Sequence, residues 1–410
     1  MSGSSRSERD ETLALCEPGY PGASVTTGAP AARIAARIRR EGPIPFDVFV
    51  EEALYGTGGF FTRARGAGRR DADFVTSSEV GPLFGALVAR ALDRAWDELG
   101  GPDPFFVVDA GAGRGRLAAD VLAAHPRCAT ALRYVLVERS DVLRAAQRDL
   151  VVLEPVEDAL GPVLPGDDDS GPLVLAGVGP IATALAELPA LSMSGVVVAN
   201  ELLDNLPFRI AERTREGWAE IRVGIQGDGF VEVAVGGTPE IATEARLVVA
   251  DDVPLGARIP VPTGVRDWLN ACADVLEHGT LLVVDYAASV EELLARGQEG
   301  WLRTYRGHGR GVAPFVAAGE QDITIDVPLE YVVGAARRVG FTLERDLAQA
   351  EWLRALGIDD LVSEARAQWE ARAHVGDLDA LRHRSRVNEA AALLDPSGLG
   401  AHRVLEFRRR

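Results

Sequence analysis

Apolar and polar positions along this chain follow two alternating rhythms. Short unbroken apolar runs at 105–109, 133–138, 195–199 and 281–285 alternate with stretches of helical spacing at 115–124, 140–150, 181–188 and 264–277. An uninterrupted apolar run bounded by turn residues suits a strand buried on both faces. Strands of that kind alternating with helices imply an α/β fold, a mostly parallel sheet with helices on both faces. Upstream, the helical spacing of 31–54 is interrupted by Pro43 and Pro45 and predicts two short helices. Leu83, Leu87, Leu92 and Trp96 mark one face of a longer helix over 79–99. A short strand is expected at 173–176 and antiparallel strands at 208–235. After about 350 the pattern is mainly helical, with a last strand near 403–408.

The punctuation between these elements divides the chain. Residues 1–30, rich in Ser, Gly, Pro and Thr, are expected to be a disordered lead. Next comes a helical segment over 31–100, expected to contribute to a cofactor pocket. A core is expected over 101–350, with insertions at 155–180 and 287–325. A helical region and the last strand fill 351–410. Breakers and like charges at 161–172, Gly-Pro-Val-Leu-Pro-Gly-Asp-Asp-Asp-Ser-Gly-Pro, mark a solvated loop within the first insertion.

Composition narrows the chemistry. The 410 residues carry a formal net charge of −18, which argues against nucleic acid and anionic membrane surfaces and suits a cationic cofactor and a basic substrate. Every basic residue apart from histidine is arginine. The chain therefore offers no lysine for Schiff-base chemistry or a phosphate-binding P-loop. Cys16, Cys128 and Cys272 lie far apart, so neither a disulfide framework nor a zinc site is expected. Without an apolar run of membrane-spanning length or an apolar signal sequence, the expectation is a cytoplasmic protein.

The most specific local signal follows the first strand. Phe105-Phe-Val-Val-Asp109 runs into a loop with glycine at 111, 113 and 115. A dinucleotide fingerprint, G-x-G-x-x-G, needs its third glycine at 116, where Arg116 stands, which disfavours nicotinamide cofactors. The next strand ends on Glu138, placed to accept both hydroxyls of a ribose. Asp109, a glycine loop, a helix, a strand and Glu138 form the layout of an S-adenosylmethionine (SAM) site. Asp109, Gly111, Gly113, Gly115 and Glu138 are its cofactor-binding candidates.

Further polar residues cluster at expected strand ends. Asn200, Glu201, Asp204 and Asn205 follow a buried strand, and as a helix start they would leave Glu201 and Asp204 without a structural reason. A carboxylate there can bind a guanidinium through paired charged hydrogen bonds. Asn200, Glu201 and Asp204 are therefore catalytic candidates. His308, in Tyr305-Arg-Gly-His308, joins them as a possible general base, although a lone loop histidine is more often incidental. Gly58, Gly59, Thr76 and Glu79 are additional cofactor-binding candidates, because glycines at 56, 58 and 59 let backbone approach a ligand. From spacing alone a plain turn and a plain helix cap are the preferred reading. Asp285-Tyr286 is either crevice wall or core.

These stretches also occur in a known order. Phe60-Phe61-Thr62, Asp73-Phe-Val-Thr76, Glu79 with Leu83-Phe-Gly85, the glycine loop, Val137-Glu-Arg-Ser140 with Leu143-Arg, and Ala199-Asn-Glu-Leu-Leu-Asp-Asn-Leu-Pro207 come first. Asp285-Tyr286, Tyr305-Arg-Gly-His308, Gly319-Glu-Gln-Asp-Ile-Thr324 and Leu356-Gly-Ile358 follow. Over about residues 31–410 the order resembles the MidA-type SAM-dependent methyltransferases, the family of the mitochondrial complex I assembly factor that methylates a protein arginine. The resemblance implies a class I methyltransferase, Rossmann-like, with an added helical region, SAM on the 111–115 loop and Glu138, and a protein substrate. The chain departs from the family pattern at Asp322-Ile-Thr-Ile-Asp326-Val-Pro328 and at Leu347-Ala-Gln349. A SAM-binding assembly scaffold without transferase activity and a small-molecule O- or N-methyltransferase stand as alternatives.

Overall fold

Seven strands make the central sheet of the computed structural model: β1 Phe105–Ala110, β2 Leu132–Val137, β3 Ile181–Leu185, β4 Met193–Asn200, β5 Leu276–Asp285, β6 Thr342–Ala348 and β7 Arg403–Arg409. The structure describes residues 14–15, 28–63, 76–161, 176–250, 252–306, 309–374 and 377–410. The strands lie in the order β3-β2-β1-β4-β5-β7-β6, with every pair from β3 to β5 parallel and β7 antiparallel to both its neighbours. Val107, Val108, Val135, Leu136, Val197 and Val198 are all buried, as strands covered on both faces require.

Register then decides where the chemistry can sit. Ala110 is level with Val137 on one side and with Ala199 on the other, and Asn200 is level with Val284. The ends of β1, β2, β4 and β5 therefore share one edge of the sheet, and the chain leaves β1 in opposite directions to reach β2 and β4. In open α/β sheets that reversal opens a crevice at the carboxyl ends of the strands.

Between β4 and β5 the chain builds a second, antiparallel sheet from 209–214, 217–226, 229–235 and 258–261. The strands expected over 208–235 belong to it, but the insertions expected at 155–180 and 287–325 do not include this one. Helices Ala29–Glu41 and Phe46–Leu54 belong to the same apolar cluster as this sheet, where Phe46 meets Phe208 at 5.2 Å and Phe49 meets Phe230 at 5.8 Å between ring centres. The long helix expected over 79–99 is two pieces, Ser77–Val80 and Pro82–Glu98, separated at Gly81. Helices Gln349–Ala355, Ile358–Arg372 and Leu378–Leu393 fill the C-terminal part before β7.

One element differs in kind from its expectation. Residues 181–185, read as part of a helix over 181–188, form β3 at the edge of the sheet, in parallel register with Arg133–Val137. Ile-Ala-Thr-Ala-Leu has the alanine and leucine content of a helix. Pairing with β2, burial of Ala182 and a Thr183 hydroxyl bond to the Glu154 carbonyl override that local preference. The loop expected at 161–172 and the strand expected at 173–176 lie almost wholly outside the described residues. Among the described residues no helix is long and apolar enough to cross a membrane.

Candidate active site

A cavity of about 850 Å³ opens at the carboxyl ends of β1, β2, β4 and β5. Asp109, Gly111, Gly113 and Glu138 line one end; Asn200, Glu201, Asp204, Tyr286 and Asp322 line the other. The hairpin Leu302–Tyr305/Asp322–Ile325 closes that second end with Arg303, Tyr305 and Thr324.

The glycine loop alternates for a backbone reason. Gly111, Gly113 and Gly115 have φ of 74°, 52° and 80°, the left-handed region that costs other residues energy. Their surroundings differ. A Cβ on Gly111 would lie 2.9 Å from the Leu202 side chain, and one on Gly115 would lie 2.9 Å from Leu136. A Cβ on Gly113 would meet nothing within 4 Å, so this backbone faces open cavity. The Gly113 N–H donates to Glu138 Oε2 at 3.0 Å and the Ser140 N–H to Oε1 at 2.8 Å, which fixes the carboxylate plane. Burial raises the Glu138 pKa, partly opposed by these two donors. Asp109 accepts from the Tyr134 hydroxyl at 3.2 Å, and burial pushes its pKa up to about 7.

The other end is built on a sharp turn after β4. Glu201 has φ 51°, a conformation unusual for a residue with a side chain. The buried Asp285 at the end of β5 pins that turn by accepting from the N–H groups of Leu202 at 3.0 Å, Leu203 at 2.7 Å and Tyr286 at 2.8 Å. The alternatives of wall or core thus separate: Tyr286 is wall and Asp285 anchors the turn. Glu201 Oε1 accepts from the Ser77 N–H at 2.7 Å and from Asn200 Nδ2 at 3.4 Å. Burial pushes the Glu201 pKa up to about 8, with the charges of Asp285 and Glu79 adding to the rise. Asp204 is raised by burial and by Asp285, Asp322 and Glu201. Asn200 Oδ1 and Asp204 Oδ1 are buried without a hydrogen-bond partner. This wall therefore presents acceptors that need donors.

Neighbouring groups hold the wall in place. Asn205 Nδ2 donates to Asp322 Oδ1 at 2.9 Å and its carbonyl accepts from the Tyr55 hydroxyl at 3.2 Å. The Tyr286 ring lies between the Arg303 guanidinium, 5.5 Å from its centre, and the His402 ring at 4.0 Å. Burial lowers the His402 pKa to about 4, so this imidazole is neutral at pH 7.

Not every candidate residue meets at this cavity. Asn200, Glu201, Asp204, Asp109, Gly111, Gly113, Glu138, Thr76 and Glu79 line it. Gly115 does not; it packs under the loop against Leu136 and Gln147 and precedes helix Arg116–Ala123. Gly58 and Gly59 also lie off the cavity, in the turn that presents Phe60 and Phe61 to it. His308 lies outside the described residues. Tyr286, Arg303, Tyr305 and Asp322 were not among the candidates. Tyr286, Tyr305 and Asp322 stand in stretches of the family order, Tyr286 as either crevice wall or core, whereas Arg303 belongs to none of those stretches.

The cradle fits SAM. Gly113 leaves room for a ligand against the backbone, the Glu138 carboxylate is held at the cavity wall by two N–H donors, and the partnerless oxygens of Asn200 and Asp204 stand at the other end. Comparison with known proteins agrees. A family model described as "Putative S-adenosyl-L-methionine-dependent methyltransferase" matches residues 87–345. The chain is 25% identical over 338 residues to the mitochondrial protein arginine methyltransferase NDUFAF7 homolog of Drosophila melanogaster, covering 79% of this chain and 72% of that protein. It is 26% identical over 355 residues to the mitochondrial protein arginine methyltransferase NDUFAF7 of Homo sapiens, with the same coverage of 79% and 72%. A solved structure from Burkholderia thailandensis, bound to S-adenosyl-homocysteine, superposes with a TM-score of 0.76 at 28% identity, covering 93% of this chain and 92% of that one.

Proposed function

The chain belongs to the family of S-adenosyl-L-methionine-dependent methyltransferases whose model it matches, and from that premise we propose that its acceptor is a protein arginine, methylated at a guanidinium nitrogen. The observation that carries this reading is the acceptor wall, with Asn200 Oδ1 and Asp204 Oδ1 buried and partnerless beside Glu201. Leaving such atoms unpaired is costly, so the wall calls for a ligand rich in N–H groups. A guanidinium offers five in one plane. The name protein arginine methyltransferase, borne by the curated relatives, supports the same class.

SAM supplies a sulfonium-bound methyl group: a C–N bond forms as the C–S bond breaks, and the electron pair returns to sulfur. The chain's own residues do the rest. Gly111 to Gly113 and Glu138 hold the nucleoside side, and the turn pinned by Asp285 sets Glu201 at the far end. An ionised Glu201 orients one guanidinium nitrogen for in-line attack and draws the positive charge onto the other two. Asp204 supports it from the same wall, and Asn200 positions substrate or methionine groups. The proton shed by the attacked nitrogen passes to a carboxylate of this wall.

The test compares wild type with Glu201→Gln. S-adenosyl-homocysteine binding, measured by calorimetry, should change by no more than about twofold. Transfer of labelled methyl from SAM to arginine in the proteins of a deletion-strain lysate should fall by about 10²-fold or more, the scale of losing one oriented charged group. Full activity in the variant would sink the role of Glu201. Label confined to small molecules would sink the protein acceptor.

A further inference from the structure

A buried chain of hydrogen bonds connects the C-terminal part of the fold to Glu201. Gln349, the first residue of helix Gln349–Ala355, is wholly buried. Its backbone N–H donates to the His402 carbonyl at 2.7 Å, which ties it to the residue before β7. Its side-chain Nε2 donates to the Leu393 carbonyl at 3.3 Å, and this settles which way the amide faces. The remaining Oε1 accepts from the Ser77 hydroxyl at 3.0 Å. Ser77 is also wholly buried, and its backbone N–H donates to Glu201 Oε1 at 2.7 Å. Residues 77, 201 and 349 thus meet through polar atoms alone, although long stretches of sequence separate them.

A second contact holds the same segment. Glu389, on helix Leu378–Leu393, accepts from the Leu83 N–H at 3.1 Å and from the Ser385 hydroxyl at 2.9 Å. Its carboxyl group lies against Gly81, where a Cβ would come within 2.3 Å of it. The break between helices Ser77–Val80 and Pro82–Glu98 is therefore gripped from the C-terminal side by Glu389 and Gln349. Packing alone needs no buried amide at position 349. A buried polar chain ending on Glu201 fixes the direction of that carboxylate.

We propose that Gln349 is a positioning residue that sets the direction of the Glu201 carboxylate through Ser77. The geometric part stands by itself, and its effect on turnover rests on the role given to Glu201 above. The groups facing Glu201 are the Ser77 N–H and Asn200, which favour its charged form, Asp285 and Glu79, which oppose it, and Asp204 and Tyr286, whose own pKa values its charge raises. Loosening Ser77 leaves the two acids less opposed.

The test uses the full chain with Gln349→Met, Ser77→Ala and the double variant. The methionine keeps volume without the amide. The Glu201 carboxyl titration is read by infrared difference against Glu201→Gln, which needs no methyl acceptor. Gln349→Met should move that titration upward by about one pH unit, the scale of a weakened charge-assisted hydrogen bond. Ser77→Ala should move it in the same direction, and the double variant no further than either single one. Where lysate proteins take label, turnover should fall by about tenfold with the KM for SAM unchanged. Lower melting temperatures with an unmoved Glu201 titration, or additive single shifts, overturn the proposal. A moved titration with no label on arginine retains the positioning role and rejects the arginine acceptor.

Discussion

Glu201 needs a charge to hold a guanidinium, and the fold makes that charge expensive. Its pKa is pushed up to about 8 by burial, while Asp109 and Asp285 are pushed to about 7 for the same reason. In the unfolded chain such carboxyls titrate near about 4. Below that value both states hold the protons and the three groups do not oppose folding. As pH rises from about 4 to about 8 the unfolded chain gives up its protons first, so stability from these groups declines across that window. Thermal melts should therefore show a falling melting temperature from about pH 5 to about pH 8, with a shallower slope in Glu201→Gln. Activity should run the other way: kcat/KM should rise to a limb near the Glu201 pKa, because only the ionised form localises the guanidinium charge. A melting temperature that climbs with pH, equally in both proteins, would show that these carboxyls are ionised in the folded state below pH 7.

At the scale of elements, the glycine loop separates binding from folding within five residues. Gly113 faces open cavity and Gly115 packs against Leu136, yet both have positive φ. Each alanine substitution therefore carries the same left-handed cost of about 1 kcal/mol. Gly115→Ala adds a clash in the core, so it should lose a further 1 to 3 kcal/mol or so in denaturant unfolding with cofactor affinity little changed in the folded fraction. Gly113→Ala should keep most of its stability and weaken S-adenosyl-homocysteine binding about tenfold or more by calorimetry, because its methyl occupies ligand space. Equal effects on both properties in the two variants would contradict the division. The loop was legible in the sequence because its cause is local: a strand tip, an acid and alternating glycines announce a backbone shape. β3 was not, because Ile181–Leu185 becomes a strand through its neighbour β2 and a bond to Glu154 rather than through its own composition. Gln349 was visible only as the last residue of Leu347-Ala-Gln349, a stretch that departs from the family pattern before it, since its partners lie at 77, 393 and 402.

Over the whole molecule, the cavity assembles side chains from the N-terminal helices, the sheet edge and the hairpin at 302–325. Sequence reading reached the sheet-edge members, whose chemistry follows a strand directly. It missed Arg303 and Asp322 as site residues, because only the pairing of two distant strands brings them to the wall. Charge, by contrast, is a whole-chain property that the sequence states outright: −18 over 410 residues. Such a field attracts a basic protein from a distance, and about 0.1 M salt already limits its reach to about 10 Å. The carboxylates proposed to hold the guanidinium stand inside the cavity wall, Asp204 buried and Glu201 half-buried, and are screened far less. Salt should therefore act on encounter and spare the chemical step. Between about 0.05 M and about 0.5 M salt, the KM for a basic protein acceptor should rise severalfold while kcat holds within about twofold. A single arginine in a neutral peptide should show a much flatter KM over the same range. If the basic acceptor's KM were equally flat, the acidic surface would serve solubility alone, and recognition would rest entirely on the wall of Asn200, Glu201 and Asp204.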